Sequence, residues 1–458
     1  VSTLPWSPTS WLARPIAQDI PYSDQRALQA CVKHLQSLPP LVTSWEIERL
    51  RAQLADAEAG KRFVLHGGDC AEGFADCRPA PIADKLKVLL QMSMVLVHGL
   101  KRPVLRIGRF AGQYAKPRSS MTETRTVDGQ PRTLPSYFGD LINRAPFDEA
   151  SRTPDPALLI AGHAHAATTL NFIRSLVDGG FADLHHPEYW DLSFLSKAGL
   201  PALLRIEYER MRASLADGLR FMEALGETTI AELTRVEFFT SHEALSLWYD
   251  SSQTRTVPRR EGFYNLSTHL PWVGDRTRQL DGAHLEYCRG LQNPVGLKVG
   301  PSMAPDELLQ AAALLNPANE PGKLVLIARM GAATVSHALP TLLDAWAASG
   351  RKGLWLIDPM HGNTRSVQVG DKSIKTRSVD DVLRELALAH DSFARTAVRL
   401  GGLHVELTGE DVTECVGGAA GVREQDLTTN YATFCDPRLN YQQAMELAFV
   451  IARTFRRL

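Results

Sequence analysis

The sequence predicts an α/β fold: a (β/α)8 barrel of the TIM type with an N-terminal helical extension and a long helical insertion between its second and third strands. Three observations predict it. Eight short runs rich in Val, Leu, Ile or Phe recur along the chain, too short for helices and without helical spacing. Helical patterns lie between most of them, and strands alternating with helices demand parallel pairing through crossovers. The first run is followed by Gly67-Gly68-Asp69-Cys70, which lacks the Gly-x-Gly-x-x-Gly turn that an open doubly wound sheet would want there.

In chain order, residues 1–60 form the extension, with helices expected over 23–38 and 44–59, separated by Pro39-Pro40, ended by Gly60 and packed beside the main domain. The barrel domain runs over 61–458, with strands expected at 62–67, 103–109, 235–240, 267–273, 294–299, 324–329, 353–357 and 402–407. Helices are expected at 277–291, 305–315, 335–348 and 379–400. About 125 residues separate the second and third strands, far more than a plain barrel loop, so 110–233 is read as a helical insertion. Asp155-Pro156 opens one helix there, which stops at Gly179-Gly180. Leu204, Tyr208, Met211, Leu215, Leu219 and Met222 mark another over about 203–225, whose apolar stripe needs a partner surface.

The 458 residues are 44% hydrophobic and 22% charged, with a formal net charge of −1, which fits a globular protein with a sizeable core and gives no basic surplus for nucleic acid. No apolar run reaches the ~18 residues of a membrane span, and Val1 to Pro15 lacks a signal-peptide core, so a cytoplasmic location without membrane association is expected. The cysteines at 31, 70, 77, 288, 415 and 435 include no Cys-x-x-Cys pair, which favours reduced thiols or isolated ligands.

Chemistry gathers at the strand ends. In a parallel barrel all C-terminal strand ends converge on one face, so residues far apart in sequence can meet there. Cys70 follows the first strand, His361 the seventh, in Asp-Pro-Met-His-Gly-Asn-Thr; Glu406 ends the eighth and Asp436 lies in a loop beyond it. One thiolate, one imidazole and two carboxylates make a set for a divalent transition ion such as Mn2+, Fe2+, Co2+ or Zn2+. Basic groups occupy other strand ends: Arg109, Arg276, Lys298 and Arg329. Lys298 and Arg329 interrupt apolar strands, where an unpaired cation would cost several kcal/mol, so they are expected to await an anionic ligand. Four such cations imply a ligand with both phosphate and carboxylate, and Lys116-Pro-Arg118-Ser119 would suit a second phosphate.

The segments Gly67 to Glu72, Ala111 to Ser119, Arg276 to His284, Asp358 to Thr364 and Cys435 to Asn440 resemble those of the type II 3-deoxy-D-arabino-heptulosonate 7-phosphate (DAHP) synthases, and the likeness runs from about Trp6 to Leu458. The resemblance implies a barrel enzyme that condenses phosphoenolpyruvate with erythrose 4-phosphate, the first step of the shikimate route to aromatic compounds. It implies Cys70, His361, Glu406 and Asp436 as metal ligands, most often for Mn2+ or Co2+. Arg109, Asp275, Arg276, Lys298 and Arg329 fall at the phosphoenolpyruvate site, and Lys116, Arg118 and Ser119 at the sugar-phosphate site. His361, Lys116 and Cys70 are the candidate catalytic residues. Related enzymes form homo-oligomers, dimers or tetramers, and sense aromatic amino acids through additions like this insertion.

Three positions depart from the family pattern. Asp275 stands where Glu is usual, Phe138 where a basic residue is usual, and Ala161-Gly162-His163 where Arg-Ala-Tyr is common. They would fit a copy serving secondary aromatic metabolism or a modified aldose phosphate. A metal-dependent phosphohydrolase would need only one phosphate site, and a non-catalytic regulatory paralogue should have lost ligands. Cys435, adjacent to Asp436, is expected to lie near Cys70, whose thiol the surrounding cations should acidify, so the metal-free pair could oxidise to a disulfide.

Overall fold

The computed structural model describes residues 5–179 and 237–455, with only scattered positions between 202 and 217. In chain order the strands are β1 (Phe63–Gly68), β2 (Val104–Arg109), β3 (Thr122–Val127), β4 (Gln130–Pro135), β5 (Phe239–Glu243), β6 (Thr254–Arg255) and β7 (Tyr264–Asn265). They continue with β8 (Leu270–Val273), β9 (Val295–Val299), β10 (Leu324–Ala328), β11 (Leu354–Ile357), β12 (Arg365–Val369), β13 (Lys372–Thr376) and β14 (Leu400–Glu406). Eight of them close into a barrel in the order β1, β14, β11, β10, β9, β8, β5, β2. All neighbouring pairs are parallel. The barrel strands are buried on both faces because one side fills the lumen and the other meets helices. The expected (β/α)8 barrel is therefore the observed fold.

The extension does more than lie alongside. Helix Ser44–Glu58 starts on a Thr43 and Glu46 capping box and buries Leu50, Leu54 and Ala57. These three share one cluster with Val64, Leu105, Ile107, Phe239, Val325 and Leu356 of the barrel strands, so the helix packs on the barrel's own core. Outside the barrel, helix Pro79–Leu100 packs against helix Tyr441–Thr454, with Gly99 set against Ala452 where a side chain would collide.

Helix Ala157–Asp178 of the insertion buries Leu159, Leu170 and other residues with Leu28 and Leu35 of helix Gln25–Ser37. Its apolar stripe is thus covered within the chain. The helix expected over 203–225 lies outside the described residues.

Four expectations need correction. The third strand is Phe239–Glu243, four residues beyond the expected start, because His242 and Glu243 take polar partners at the strand's end while the Phe-Phe run only enters it. The helix expected over 277–291 is only Ala283–Cys288, since residues 274–282 are spent on turns and on the Asp275 and Arg278 ion pair. The helix expected over 379–400 ends at Ala394. The insertion is not purely helical: β3 and β4 form an antiparallel hairpin whose turn residues Asp128 and Gly129 both have positive φ, 51° and 77°. A second hairpin, β12 with β13, follows β11. Among the described residues no helix is long and apolar enough to cross a membrane.

Candidate active site

At the C-terminal mouth, backbone geometry first sets Cys70. Gly68 sits at φ 149° with the Phe110 ring and Arg109 carbonyl where a Cβ would stand, so the chain turns there without a side chain. Asp69, buried, pairs with Lys85 and with Arg438 (2.7 Å) on the far side, which leaves Cys70 facing the mouth. Glu72 accepts the backbone N–H groups of Ala111, Gly112 and Gln113 at 2.9–3.0 Å. That clamp shapes the loop that carries Lys116 inward.

After β11, Asp358 is fully buried and accepts from the backbone N–H of Met360 (3.0 Å) and from His361 Nδ1 (2.7 Å). The opposite ring nitrogen, Nε2, lies 2.9 Å from Glu406 Oε1 at the end of β14. Gly331 and Gly362 touch backbone to backbone, which brings the Arg329 and His361 loops together. Arg377 Nη1 holds Glu406 Oε2 at 2.6 Å and also bonds the Pro437 carbonyl, so one buried cation ties β14 to the loop bearing Asp436. Lys375 Nζ lies 3.0 Å from Asp436 Oδ1.

The four candidate ligands read from the sequence fall into two triads that share Asp436. Donor atoms of His361, Glu406 and Asp436 lie within 4.8 Å of one another, and so do those of Cys70, Cys435 and Asp436. Asp436 joins the two groups, and Cys435 is an added thiol, its Sγ 2.9 Å from that of Cys70. Glu406 Oε1 is fully buried with no aligned hydrogen-bond donor, a lone pair that a cation would satisfy. Burial opposes charge on Glu406, but His361, Arg377 and Arg109 outweigh it and hold the carboxyl well below its usual range. Burial likewise opposes charge on His361, and the Asp358 and Glu406 carboxylates overcome it and raise its pKa. For Cys70 burial dominates, with Cys435 and Glu406 adding to it, and the thiol is pushed well up. The expected acidification of Cys70 is therefore reversed, because burial and the neighbouring Cys435, Glu406 and Asp436 all oppose the thiolate.

These residues open onto one cleft at the barrel mouth. Arg109, Lys116, Asp275, Arg276, Lys298 and Arg329 line it together with Cys70, His361 and Asp436. Glu406 lies fully buried behind it, while Arg118 is half-buried and Ser119 exposed on the loop beyond Pro117, at the rim. Two cations do not stand unpaired as expected. Lys298 pairs with Asp358, and Arg329 Nη1 pairs with Asp275 Oδ2 at 2.8 Å. Asp275, short as it is, also holds Arg278 Nε at 2.9 Å. Arg276 and Lys116 have no carboxylate partner among the described residues; Lys116 Nζ donates to the Phe434 carbonyl, and burial lowers its pKa.

Sequence reasoning missed several residues. Glu243, at the end of β5, is buried in the cleft wall with Oε1 lacking a partner, and burial pushes its carboxyl up to about 7 against the pull of Lys298, Arg109 and His361. The misplaced third strand hid it. Asp358 stands at a strand end before Pro359, and nothing local in the sequence shows that it pairs with His361 and Lys298. Arg377 follows an exposed hairpin that gave no apolar signal.

Comparison with known proteins agrees with the geometry. The model of the class-II DAHP synthetase family matches residues 6–452. A phospho-2-dehydro-3-deoxyheptonate aldolase of Neurospora crassa is 45% identical, the alignment covering 98% of this chain and 94% of the relative. One of the same name from Streptomyces coelicolor is also 45% identical, covering 99% of this chain and 98% of the relative. The chain belongs to the class-II DAHP synthetase family.

Proposed function

We propose that this protein condenses phosphoenolpyruvate with erythrose 4-phosphate and water to give 3-deoxy-D-arabino-heptulosonate 7-phosphate and phosphate, the first step of the shikimate pathway. The observation that carries the reading is one cleft holding a sulfur, nitrogen and oxygen donor set beside a row of cations, in a chain of this family. Cys70, His361, Glu406 and Asp436 would hold a divalent ion, Mn2+ or Co2+ by preference with Zn2+ or Fe2+ compatible with the same donors. Such an ion supplies Lewis acidity toward a carbonyl oxygen.

The chain's own residues supply binding and proton handling. Arg109, Arg276, Lys298 and Arg329 receive the phosphate and carboxylate of phosphoenolpyruvate, with Asp275 keeping Arg329 in place. Lys116, with Arg118 and Ser119 at the rim, receives the aldose phosphate. Held this way, C3 of phosphoenolpyruvate faces the aldehyde carbon, and proximity lowers the barrier to the new C–C bond. The aldehyde oxygen takes up a proton from Lys116, whose ammonium lines the cleft, since the two ring nitrogens of His361 serve Asp358 and the ion. Water adds at C2, and a carboxyl near pKa 7 with a free oxygen makes Glu243 the group to take its proton. The hemiketal phosphate then expels phosphate and leaves the ketone.

Residues 61–458 form the catalytic barrel domain in this reading, with the insertion at about 110–233 and residues 1–60 as the extension. A homo-oligomer and an aromatic amino-acid effector remain part of the proposal on the family's pattern. Chelation should abolish turnover, and added Mn2+ or Co2+ should restore it. His361→Ala should lose both turnover and tight metal binding while keeping the wild-type circular dichroism spectrum. Full activity after complete demetallation would sink the metal assignment.

A further inference from the structure

We infer that a directional chain of hydrogen bonds through the barrel interior, Arg109 to His404 to His66 to Ser241, fixes the guanidinium of Arg109 for substrate binding, which makes His404 and His66 positioning residues. The inference rests on the proposed role of Arg109 in holding phosphoenolpyruvate.

Each link admits one direction. Arg109 Nη1 lies 2.9 Å from His404 Nε2, and a guanidinium only donates, so that ring nitrogen accepts and carries no proton. The proton of a neutral His404 then sits on Nδ1, which is 2.9 Å from His66 Nδ1. That atom must accept, so His66 carries its proton on Nε2 and donates it to Ser241 Oγ. The Ser241 hydroxyl is left to donate to the Gly108 carbonyl at 3.4 Å. Protonating either imidazole twice would set two N–H groups face to face in a space closed to water, since both histidines are fully buried. The pair is thereby held neutral by its own partners.

The chain has a purpose at its near end. Arg109 Nη2 is taken by the Cys70 carbonyl (3.0 Å) and faces Glu406 (3.1 Å), and Nη1 is taken by His404. Nε alone among the guanidinium nitrogens has no partner among the described residues, on a side chain that lines the cleft. Without His404 the fork could turn toward Glu406, whose Oε1 lacks an aligned donor. The same bookkeeping removes a rival site: Asp358, His361 and His404 present donor atoms within 4.8 Å of one another, as metal ligands do, but both His404 nitrogens are committed.

Neutron diffraction from crystals of the metal-loaded protein reads the tautomers directly. Deuterons are expected on His404 Nδ1 and His66 Nε2; a deuteron on His404 Nε2 or His66 Nδ1 would overturn the chain. In steady-state kinetics His404→Leu should raise KM for phosphoenolpyruvate by about 10- to 100-fold, the range for losing a hydrogen bond to a charged group, with a much smaller change in kcat and none in KM for erythrose 4-phosphate. Equal changes for both substrates, or no change, would refute positioning. If His404→Leu does not fold, the neutron map decides. Arg109→Ala is the control: an unchanged KM for phosphoenolpyruvate there would remove the role given to Arg109, while the tautomers would still be judged by the map.

Discussion

Replacing Arg329 by Ala tests how the cleft divides its charges. The side chain is about one quarter exposed and makes two contacts, Nη1 to Asp275 Oδ2 at 2.8 Å and Nη2 to the His361 carbonyl at 2.9 Å. Removing it takes one cation from the subsite proposed for phosphoenolpyruvate. It also leaves the Asp275 carboxylate beside an incoming anion, although Arg278 still balances the other oxygen at 2.9 Å. Stripping one partner from a desolvated charge pair costs about 2–5 kcal/mol, which corresponds to roughly 30- to 4,000-fold in affinity. Because Arg278 remains, the lower half of that range is expected. Isothermal titration of the metal-loaded variant with phosphoenolpyruvate measures the loss, and Asp275→Ala added to Arg329→Ala should recover part of it by removing the repulsive carboxylate. Arg118→Ala, at the rim, should weaken the aldose phosphate instead and by less. Equal losses for both substrates in either variant would mean the two subsites are wrongly divided.

Three further outcomes are expected. Cys70 and Cys435, with sulfurs 2.9 Å apart, should oxidise in air to a disulfide once the ion is removed, dioxygen accepting the two electrons and two protons. Metal alone should not then restore activity until a reductant is added, Cys435→Ser should escape the inactivation, and peptide mapping that finds both thiols free would dismiss the idea. Lys323 is buried with no carboxylate in direct contact among the described residues, its amine donating to the Leu291 and Asn293 carbonyls, and burial brings its pKa down to about 7 against the pull of Glu320. Its folded pKa lies below the unfolded value of about 10.4, so the unfolded chain binds the extra proton between these limits and stability rises with pH across them. Lys323→Met should remove a penalty of about 4 kcal/mol at pH 7 that fades by pH 10, and melting curves that keep a constant offset from wild type over that span would contradict it. Multi-angle light scattering should find a homo-oligomer; a monomer at micromolar concentration would refute assembly.

What was legible in the sequence follows from burial. Each barrel strand except β5 was placed within about three residues because strands covered on both faces read as unbroken apolar runs. β5 slipped because Phe238 and Phe239 draw the eye to its entrance, while its C-terminal half, Ser241-His242-Glu243, is buried and polar. The hairpins escaped because β3 and β12 are mostly exposed, and the one alternation, Val367 and Val369 in β12, is too short to stand out; only Asp128-Gly129 and Gly370-Asp371 marked the turns. Donors at strand ends were legible, since parallel strands must bring their ends together. Partnerships were not. That Lys298 pairs with Asp358, Arg377 with Glu406 and His66 with His404 depends on barrel order, in which β14 lies between β1 and β11, and the sequence carries no local trace of that closure.

The central claim is that this cleft joins two phosphorylated substrates through a new carbon–carbon bond. Phosphoenolpyruvate should be mixed with a panel of aldose phosphates and the purified protein, with and without Mn2+ or Co2+, and phosphate release and product mass followed together. The account predicts metal-dependent release of one phosphate per phosphoenolpyruvate consumed, greatest with erythrose 4-phosphate, and a product with the mass of 3-deoxy-D-arabino-heptulosonate 7-phosphate. Phosphate released from either substrate alone, with no condensed product, would contradict it.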